Sequence, residues 1–230
     1  MKKLTRLYIT RHGQTEFNIE HRAQGWSDSP LTPYGREIAV RLGAGLSGIK
    51  FDAVYSSSSG RAVDTARIVQ ESMGTDLPIN LDDNLKERGL GKLEGRILSG
   101  GSWELAREAA EATGHVGKID LDVLSASYED VIPLGEPIIE PPNNLEDFGK
   151  FKERLKKALD DICEKAPGSE SNVFVVTHGL SVLAMIYALT SDKYGEGFIA
   201  NASITLVECI DGVYHIRKVN DTSYIELAGH

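Results

Sequence analysis

The chain has 230 residues, 41% of them hydrophobic and 26% charged, and a formal net charge of −9 at pH 7. A chain of this length buries most of its apolar surface in one α/β domain or a small pair and needs no disulfide or metal staple. The acidic balance argues against a nucleic-acid partner or an anionic membrane, both of which favour basic faces, and it makes a pocket built from arginine and histidine stand out.

In chain order, Leu4 to Thr10 reads as a short, buried central strand followed by a glycine turn. Thr15 to Pro30 reads as loop by composition. Thr32 is an N-cap with Pro33 at the first helical position, and the helix runs to about Gly48 with Ile38, Val40, Leu42 and Leu46 as its apolar positions. Ala53 to Ser56 is a second strand. Ser57-Ser58-Ser59-Gly60 then turns into a helix that ends near Met73. Pro78 to Leu81 is a third strand, and Leu85 to Gly95 is a glycine-punctuated loop. Trp103 to Thr113 is rich in alanine and glutamate and reads as helix.

From Gly114 to Asn144 the pattern is irregular, with Pro133, Pro137, Pro141 and Pro142, the character of a functional lid or a disordered segment. Leu145 to Ala166 is a helix on which Phe148, Phe151, Leu155, Leu159 and Ile162 recur at helical spacing. Val173 to Thr177 is a second central strand, and Gly179 to Leu189 is an apolar helix. Two last strands, Ser203 to Cys209 and Val213 to Val219, flank the hairpin turn Asp211-Gly212. Strands alternate with helices, so the pattern is α/β with one antiparallel edge strand. Cys163 and Cys209 fall on different elements without metal-ligand spacing and read as ordinary buried thiols. Met1-Lys2-Lys3 is followed by no long apolar run, and no stretch reaches bilayer-spanning length, so a cytoplasmic protein without a membrane partner is expected.

The chemistry concentrates where strands end. Arg11-His12-Gly13 follows the first strand, and His178-Gly179 follows the second central one. Ligands of open α/β sheets bind outside the carboxyl ends of the strands. Gly13 lets the backbone bend tightly and lets a ligand approach. Arg11 offers a fixed fork of donors matched to phosphate oxygens. Arg61 opens a helix directly after Ser58-Ser59-Gly60, where free N–H groups favour anions. Two histidines with two arginines suggest a pocket in which histidine attacks an oxyanion.

Five segments, TRHGQTEFN, QGWSDSPLTPYG, SSSGRAVDTA, LKERGLGKLEG and VVTHG, occur in an order that resembles the histidine phosphatase superfamily, the phosphoglycerate mutase-like proteins. The resemblance covers residues 4 to 95 and 173 to about 220. It implies a three-layer α/β/α sandwich over residues 1–230, with a lid or specificity insert at about 96–144. It also implies roles. His12 is the nucleophile that forms a phosphohistidine, and its other ring nitrogen should donate to a backbone carbonyl, that of Gly13. Arg11, Arg61 and His178 clamp the phosphoryl oxygens. Glu87 is the general acid and then the base, with a raised pKa as the expected tuning. Asn18 is the auxiliary donor, and Gln24, Gly25 and Gly179 complete the phosphate pocket. No metal or other cofactor is required by this scheme, since arginines meet the phosphate charge and no carboxylate–histidine cluster has ligand spacing. Arg88, beside the acid, and Trp26, Trp103 and Tyr128 are candidates to line the pocket, whereas His21, His115, His215 and His230 read as surface residues.

Phosphatases and cofactor-dependent mutases share this first half-reaction. In the mutases the acid-bearing loop leads into an Asn-Lys pair and later a Trp-Arg-Arg run. Here Glu94-Gly95 leads into Arg96-Ile97-Leu98-Ser99-Gly100-Gly101, and no Arg-Arg pair follows in the insert. Gln24 also resembles the phosphatase branch. The family's Gly-Glu-Ser before the long helix is replaced by Asn143-Asn144-Leu145-Glu146. The expectation is a metal-independent phosphatase of small phosphorylated metabolites, with the mutase as the alternative. Glu104, Glu108, Glu111, Asp120, Asp122, Glu129 and Asp130 make the insert acidic. A bisphosphate should therefore turn over more slowly than the matching monophosphate. Equal or faster release of phosphate from the bisphosphate removes this expectation.

Overall fold

The computed structural model describes residues 3–97, 146–190 and 199–226. The helix expected over 103–113, the irregular stretch after it, and His115, Tyr128 and His230 lie outside the described residues. Strand β1 (Leu4–Arg11) is followed by a single helical turn α1 (Glu16–Ile19), then α2 (Pro33–Leu46), β2 (Ala53–Ser57), α3 (Gly60–Met73) and β3 (Ile79–Asp82). Two 3₁₀ turns follow, Asp83–Leu85 and Gly91–Leu93. The remaining elements are α4 (Phe148–Lys165), β4 (Glu170–Thr177), α5 (Gly179–Leu189), β5 (Ile204–Ile210), β6 (Val213–Asp221) and the turn α6 (Ser223–Glu226).

The six strands form one sheet in the order β3-β2-β4-β1-β5-β6. Strands β1, β2, β3 and β4 are mutually parallel, and β5 pairs antiparallel with both β1 and β6. The expected antiparallel edge is present, with the reversed strand one place in from the rim. Asp211 and Gly212, both at positive φ (50° and 83°), fold β6 back along the outer side of β5.

The central strands are apolar on both faces because both faces are covered. Leu7, Ile9, Val173 and Val175 pack with Leu155, Leu159 and Ile162 of α4 and Val182 and Met185 of α5. Tyr8, Phe174 and Val176 point the other way, onto Ile38 and Leu42 of α2 and Ala62 and Val69 of α3. This is the physical reason that β1 and β4 read as continuous apolar runs, as doubly covered parallel strands do. Helices on both faces make the three-layer α/β/α sandwich.

Local signals explain the helices. Thr32 caps α2 by accepting from the Gly35 amide at 2.9 Å, and Pro33 stands at its first position. Helix α4 buries Phe151, Leu155, Ala158, Leu159 and Ile162 along one stripe, each large side chain contributing roughly 1.5–3 kcal/mol. Two local expectations are corrected. Val40 is 49% exposed, because two residues beyond Ile38 is about half a turn around the helix. The stretch after Thr15 is not all loop. Thr15 Oγ1 accepts from Asn18 N, Asn18 Oδ1 accepts from Thr15 N, and this capping box winds α1.

All four parallel strands deliver their carboxyl ends to one edge of the sheet. His12 follows β1, Ser58 to Arg61 follow β2, Glu87 follows β3, and His178 follows β4. The start of α2 seals this edge. A Cβ on Gly35 would lie 2.0 Å from the Gln14 carbonyl oxygen, and one on Gly13 would lie 2.5 Å from the Gly35 carbonyl oxygen. Gly35→Ala should therefore cost about 2–3 kcal/mol and lower the Tm by about 4–12 °C. An unchanged thermal midpoint would mean that α2 can retreat freely from the His12 turn.

Candidate active site

Backbone hydrogen bonds set the two histidines side by side. His12 N donates to Thr177 O at 2.9 Å, which joins the end of β1 to the residue before His178. The ring centroids lie 5.3 Å apart in an edge-on arrangement. Arg11 turns back across the sheet edge, and its Nη1 donates to Ile199 O at 2.7 Å. Burial, opposed by the Glu87 charge, brings the Arg11 guanidinium down to about 10, so it stays cationic at neutral pH.

His12 has a defined tautomer. Arg61 Nε lies 3.2 Å from His12 Nε2, and a guanidinium can only donate. Nε2 therefore carries the lone pair, and the ring proton sits on Nδ1, 2.8 Å from Gly13 O, the carbonyl expected for it. Burial first, then the charges of Arg61 and Arg11, push the His12 pKa well below its ordinary value, against the Gly13 hydrogen bond. The result is a neutral imidazole whose Nε2 lone pair meets Arg61 and whose ring also feels the Arg11 charge.

The Arg61 side chain is fully buried, and each of its N–H groups meets an acceptor. Beyond His12, Nη1 donates to Ser27 O and Asp28 Oδ1, and Nη2 donates to Gly25 O and His178 Nδ1. His178 must then carry its proton on Nε2, which reaches Ser57 Oγ at 2.8 Å. Its pKa is also held well down, by burial and by Arg61. Both ring nitrogens of His178 are thus engaged, Nδ1 by Arg61 and Nε2 by Ser57, beside His12. Thr65 ties the group together, donating to Arg61 O at 2.7 Å and accepting from Gly13 N at 3.0 Å.

Glu87 is buried within electrostatic reach of Arg61 and Arg11. Its Oε1 accepts from Arg88 N at 2.9 Å and Ser181 Oγ at 3.1 Å, and Oε2 accepts from Leu180 N at 3.0 Å. Burial raises its pKa despite these donors and the Arg61 charge. A carboxyl lifted by burial beside a neutral histidine is the environment of an acid–base group.

Asn18 and Gln24 are held within the pocket wall. Asn201 Nδ2 donates to His12 O at 2.8 Å and to Asn18 Oδ1 at 3.4 Å, so Asn18 reaches His12 through a second amide. Gln24 accepts from Thr15 Oγ1 and donates to Ser29 Oγ, both at 2.9 Å. Gly25 supplies a carbonyl to Arg61. Gly179 lets the chain pass Arg11, whose guanidinium a Cβ would approach at 3.3 Å. Arg88 packs over Phe148 and donates to Glu146 O, and Trp26, 59% exposed, donates from Nε1 to Glu87 O. His21 and His215 are exposed.

Two organising residues escaped the sequence reading. The Glu94 carboxylate accepts from five donors: the amides of Gly25, Trp26, Ser27 and Leu90 and the Ser27 hydroxyl. Burial pushes its pKa up, but these donors outweigh it and the net shift is downward. Glu94 thereby presents the Gly25 and Ser27 carbonyls to Arg61. Arg154 of α4 spans the back of the acid loop, donating to Asn84 O, Lys86 O and Glu87 O while its fork pairs with Glu146. The signal for Glu94 was an acid inside a glycine-punctuated loop, and for Arg154 a cation on the buried side of an amphipathic helix. Among the described residues, no group of three or more His, Cys, Asp or Glu is placed to hold a metal ion.

The family model of the histidine phosphatase superfamily (branch 1) matches residues 7–131 and 133–222. The chain is 30% identical to a 2,3-bisphosphoglycerate-dependent phosphoglycerate mutase of Cytophaga hutchinsonii, over 96% of this chain and 93% of that one. It is 31% identical to a metal-independent phosphoserine phosphatase of Arabidopsis thaliana, over 99% of this chain and 86% of that one. The crystal structure of a phosphoglycerate mutase from Bacillus anthracis superposes with a TM-score of 0.84 at 35% identity, over 100% of this chain and 98% of that one.

Glu94→Gln puts an amide NH2 among five donors and should destabilise the protein by about 2–3 kcal/mol. A carboxyl with a lowered folded-state pKa stabilises above its ordinary titration range, and that stabilisation is lost as pH falls through the lowered value. The stability gap between wild type and variant, measured by denaturant titration, should therefore narrow in acid. A gap that is constant with pH would detach the effect from the carboxylate.

Proposed function

The chain belongs to the histidine phosphatase superfamily, and we propose that it hydrolyses small phosphomonoesters through a phosphohistidine on His12. The observation that carries this reading is the neutral His12 ring, pinned by Gly13 O with its Nε2 lone pair against Arg61 and within the field of Arg11. A lone pair in that field needs no base to free it, and its partner must be an electrophile that brings negative oxygens. A phosphoryl group fits both demands.

In the proposed reaction His12 Nε2 attacks phosphorus and the ester P–O bond breaks. Glu87 gives its proton to the departing alkoxide, which leaves as the alcohol. Arg61 and Arg11 meet the charge on the phosphoryl oxygens, so the Arg61 N–H that now faces Nε2 turns to the phosphoryl group as the lone pair is consumed. Glu87, now ionised, takes a proton from water while the water oxygen bonds to phosphorus. The N–P bond breaks, phosphate leaves, and both residues return to their starting states.

Hydrolysis is preferred over transfer back to a second hydroxyl because Gly95 leads into Arg96-Ile97-Leu98-Ser99-Gly100-Gly101 without an Arg-Arg pair between 96 and 144. A mutase must hold its intermediate away from water and bind the glycerate carboxylate with cations. The identity to two proteins described as phosphoglycerate mutases keeps that activity as the second reading. We assign specificity to the 96–144 insert and the substrate to the small phosphorylated metabolites. A cytoplasmic location agrees with the free thiols of Cys163 and Cys209. Among the described residues no helix is long and apolar enough to cross a membrane.

Phosphate should be released from a panel of monoesters, including 3-phosphoglycerate and an aryl phosphate, and the release should survive a chelator. Isomerisation of 3-phosphoglycerate after bisphosphoglycerate priming, with no phosphate released, would establish the mutase instead. His12→Ala should abolish turnover and phosphoenzyme formation while leaving the circular dichroism spectrum intact. Glu87→Gln should slow alkyl phosphates by about 10²–10⁴-fold and aryl phosphates far less, because only a poor leaving group needs the proton. Equal slowing of both classes would remove Glu87 from the role of acid.

A further inference from the structure

A carboxylate offers about four lone-pair directions, two on each oxygen. On Glu87 the backbone amides of Arg88 and Leu180 take one each, on Oε1 and Oε2. Ser181 Oγ takes the second direction of Oε1. The remaining direction, on Oε2, is filled by none of the described residues. Ser181 is fully buried as the third residue of α5, so its hydroxyl has no water to turn to. Its other neighbour is Lys86 O, at 3.3 Å.

We infer that Ser181 is a positioning residue that confines the exchangeable proton of Glu87 to Oε2. A hydroxyl has one proton to give, and it goes to the stronger acceptor. When Glu87 is ionised, that acceptor is Oε1. Filling Oε1 with two donors leaves Oε2 as the place where a proton taken from water resides and from which it is returned to a leaving group. Without the hydroxyl, Oε1 gains an open direction and the acid can store its proton on the wrong side of the carboxyl.

The hydroxyl is one contributor among several groups around Glu87. Arg61 from α3 and Arg11 from β1 act on the carboxylate through charge. Arg154 from α4 holds the Glu87 main-chain carbonyl, Lys86 and Arg88 flank the acid in sequence, and His12 and His178 are neutral. Ser181 brings a side-chain donor to Oε1, where the Arg88 backbone amide also donates, and so gives that oxygen its second hydrogen bond.

The inference rests on the reading of Glu87 as acid and base, but its test does not. In protein labelled with ¹³C at glutamate carboxyls, the Glu87 signal is identified by its loss in Glu87→Gln and titrated directly. Removing a donor to the ionised form raises a carboxyl pKa. Ser181→Ala should shift the Glu87 titration upward, Ser181→Cys should do so partially, and Ser181→Thr should restore the wild-type midpoint. In activity, the same shift should carry the alkaline limb of kcat/KM for alkyl phosphates to higher pH. An unchanged or lowered titration in the alanine and cysteine variants overturns the role of Ser181. If the titration moves while Glu87→Gln hydrolyses alkyl phosphates as fast as wild type, the positioning stands and the catalytic reading of Glu87 fails.

Discussion

A guanidinium without solvent must find an acceptor for each of its five N–H groups, and that requirement shapes the site around Arg61. Two of its donors go to histidine lone pairs, two to carbonyls of the Gly25–Ser27 turn and one to Asp28. Each acceptor is fixed by its role. An imidazole can accept from arginine only on a deprotonated nitrogen, so the tautomers of His12 and His178 follow from the position of Arg61. The carbonyls can be offered only if the amides of their turn are satisfied elsewhere, and Glu94 satisfies them. Leaving a buried cation unpaired is costly, so these parts stand or fall together.

Glu87 shows the complementary arrangement. Its carboxyl accepts from two backbone amides, one of them in the first turn of α5, where N–H groups point outward. Helix starts favour an ionised carboxylate, and burial opposes it. The outcome is an upward shift smaller than burial alone would produce, which agrees with the acid and base role proposed for Glu87. Arg154 supplies the mechanical part. By gathering the carbonyls of Asn84, Lys86 and Glu87 it fixes where the carboxyl can be, and Glu146 satisfies the rest of its fork.

The sequence disclosed what is contiguous. Arg11-His12-Gly13 and His178-Gly179 stand at the ends of apolar runs, and such runs mark parallel strands covered on both faces. The residues whose partners are remote stayed hidden. Glu94 serves a turn 67 to 69 positions away, and Arg154 serves carbonyls 67 to 70 positions away. No periodicity encodes such a pairing, because both ends meet only after the sheet has assembled. The small turn at Glu16–Ile19 was hidden for a different reason. Its capping box uses Asn18 where glutamate or glutamine is usual, so its signature resembles loop composition. Val40 misled because valine at the surface has the same identity as valine in a core.

The strand order also dictates when this protein can exist during synthesis. Strand β1, made first, has as its neighbours β4 and β5, from the last third of the chain. Until β4 leaves the ribosome, β2 has only β3 beside it, and the apolar first strand has no partner on either side. Contacts that close over so many residues form slowly. A nascent chain that ends before Glu170 therefore holds His12 without His178 beside it, and it exposes a hydrophobic edge that chaperones or other chains can bind. Insertion of β4 between β2 and β1 brings His178 beside His12, and β5 and β6 then complete the sheet.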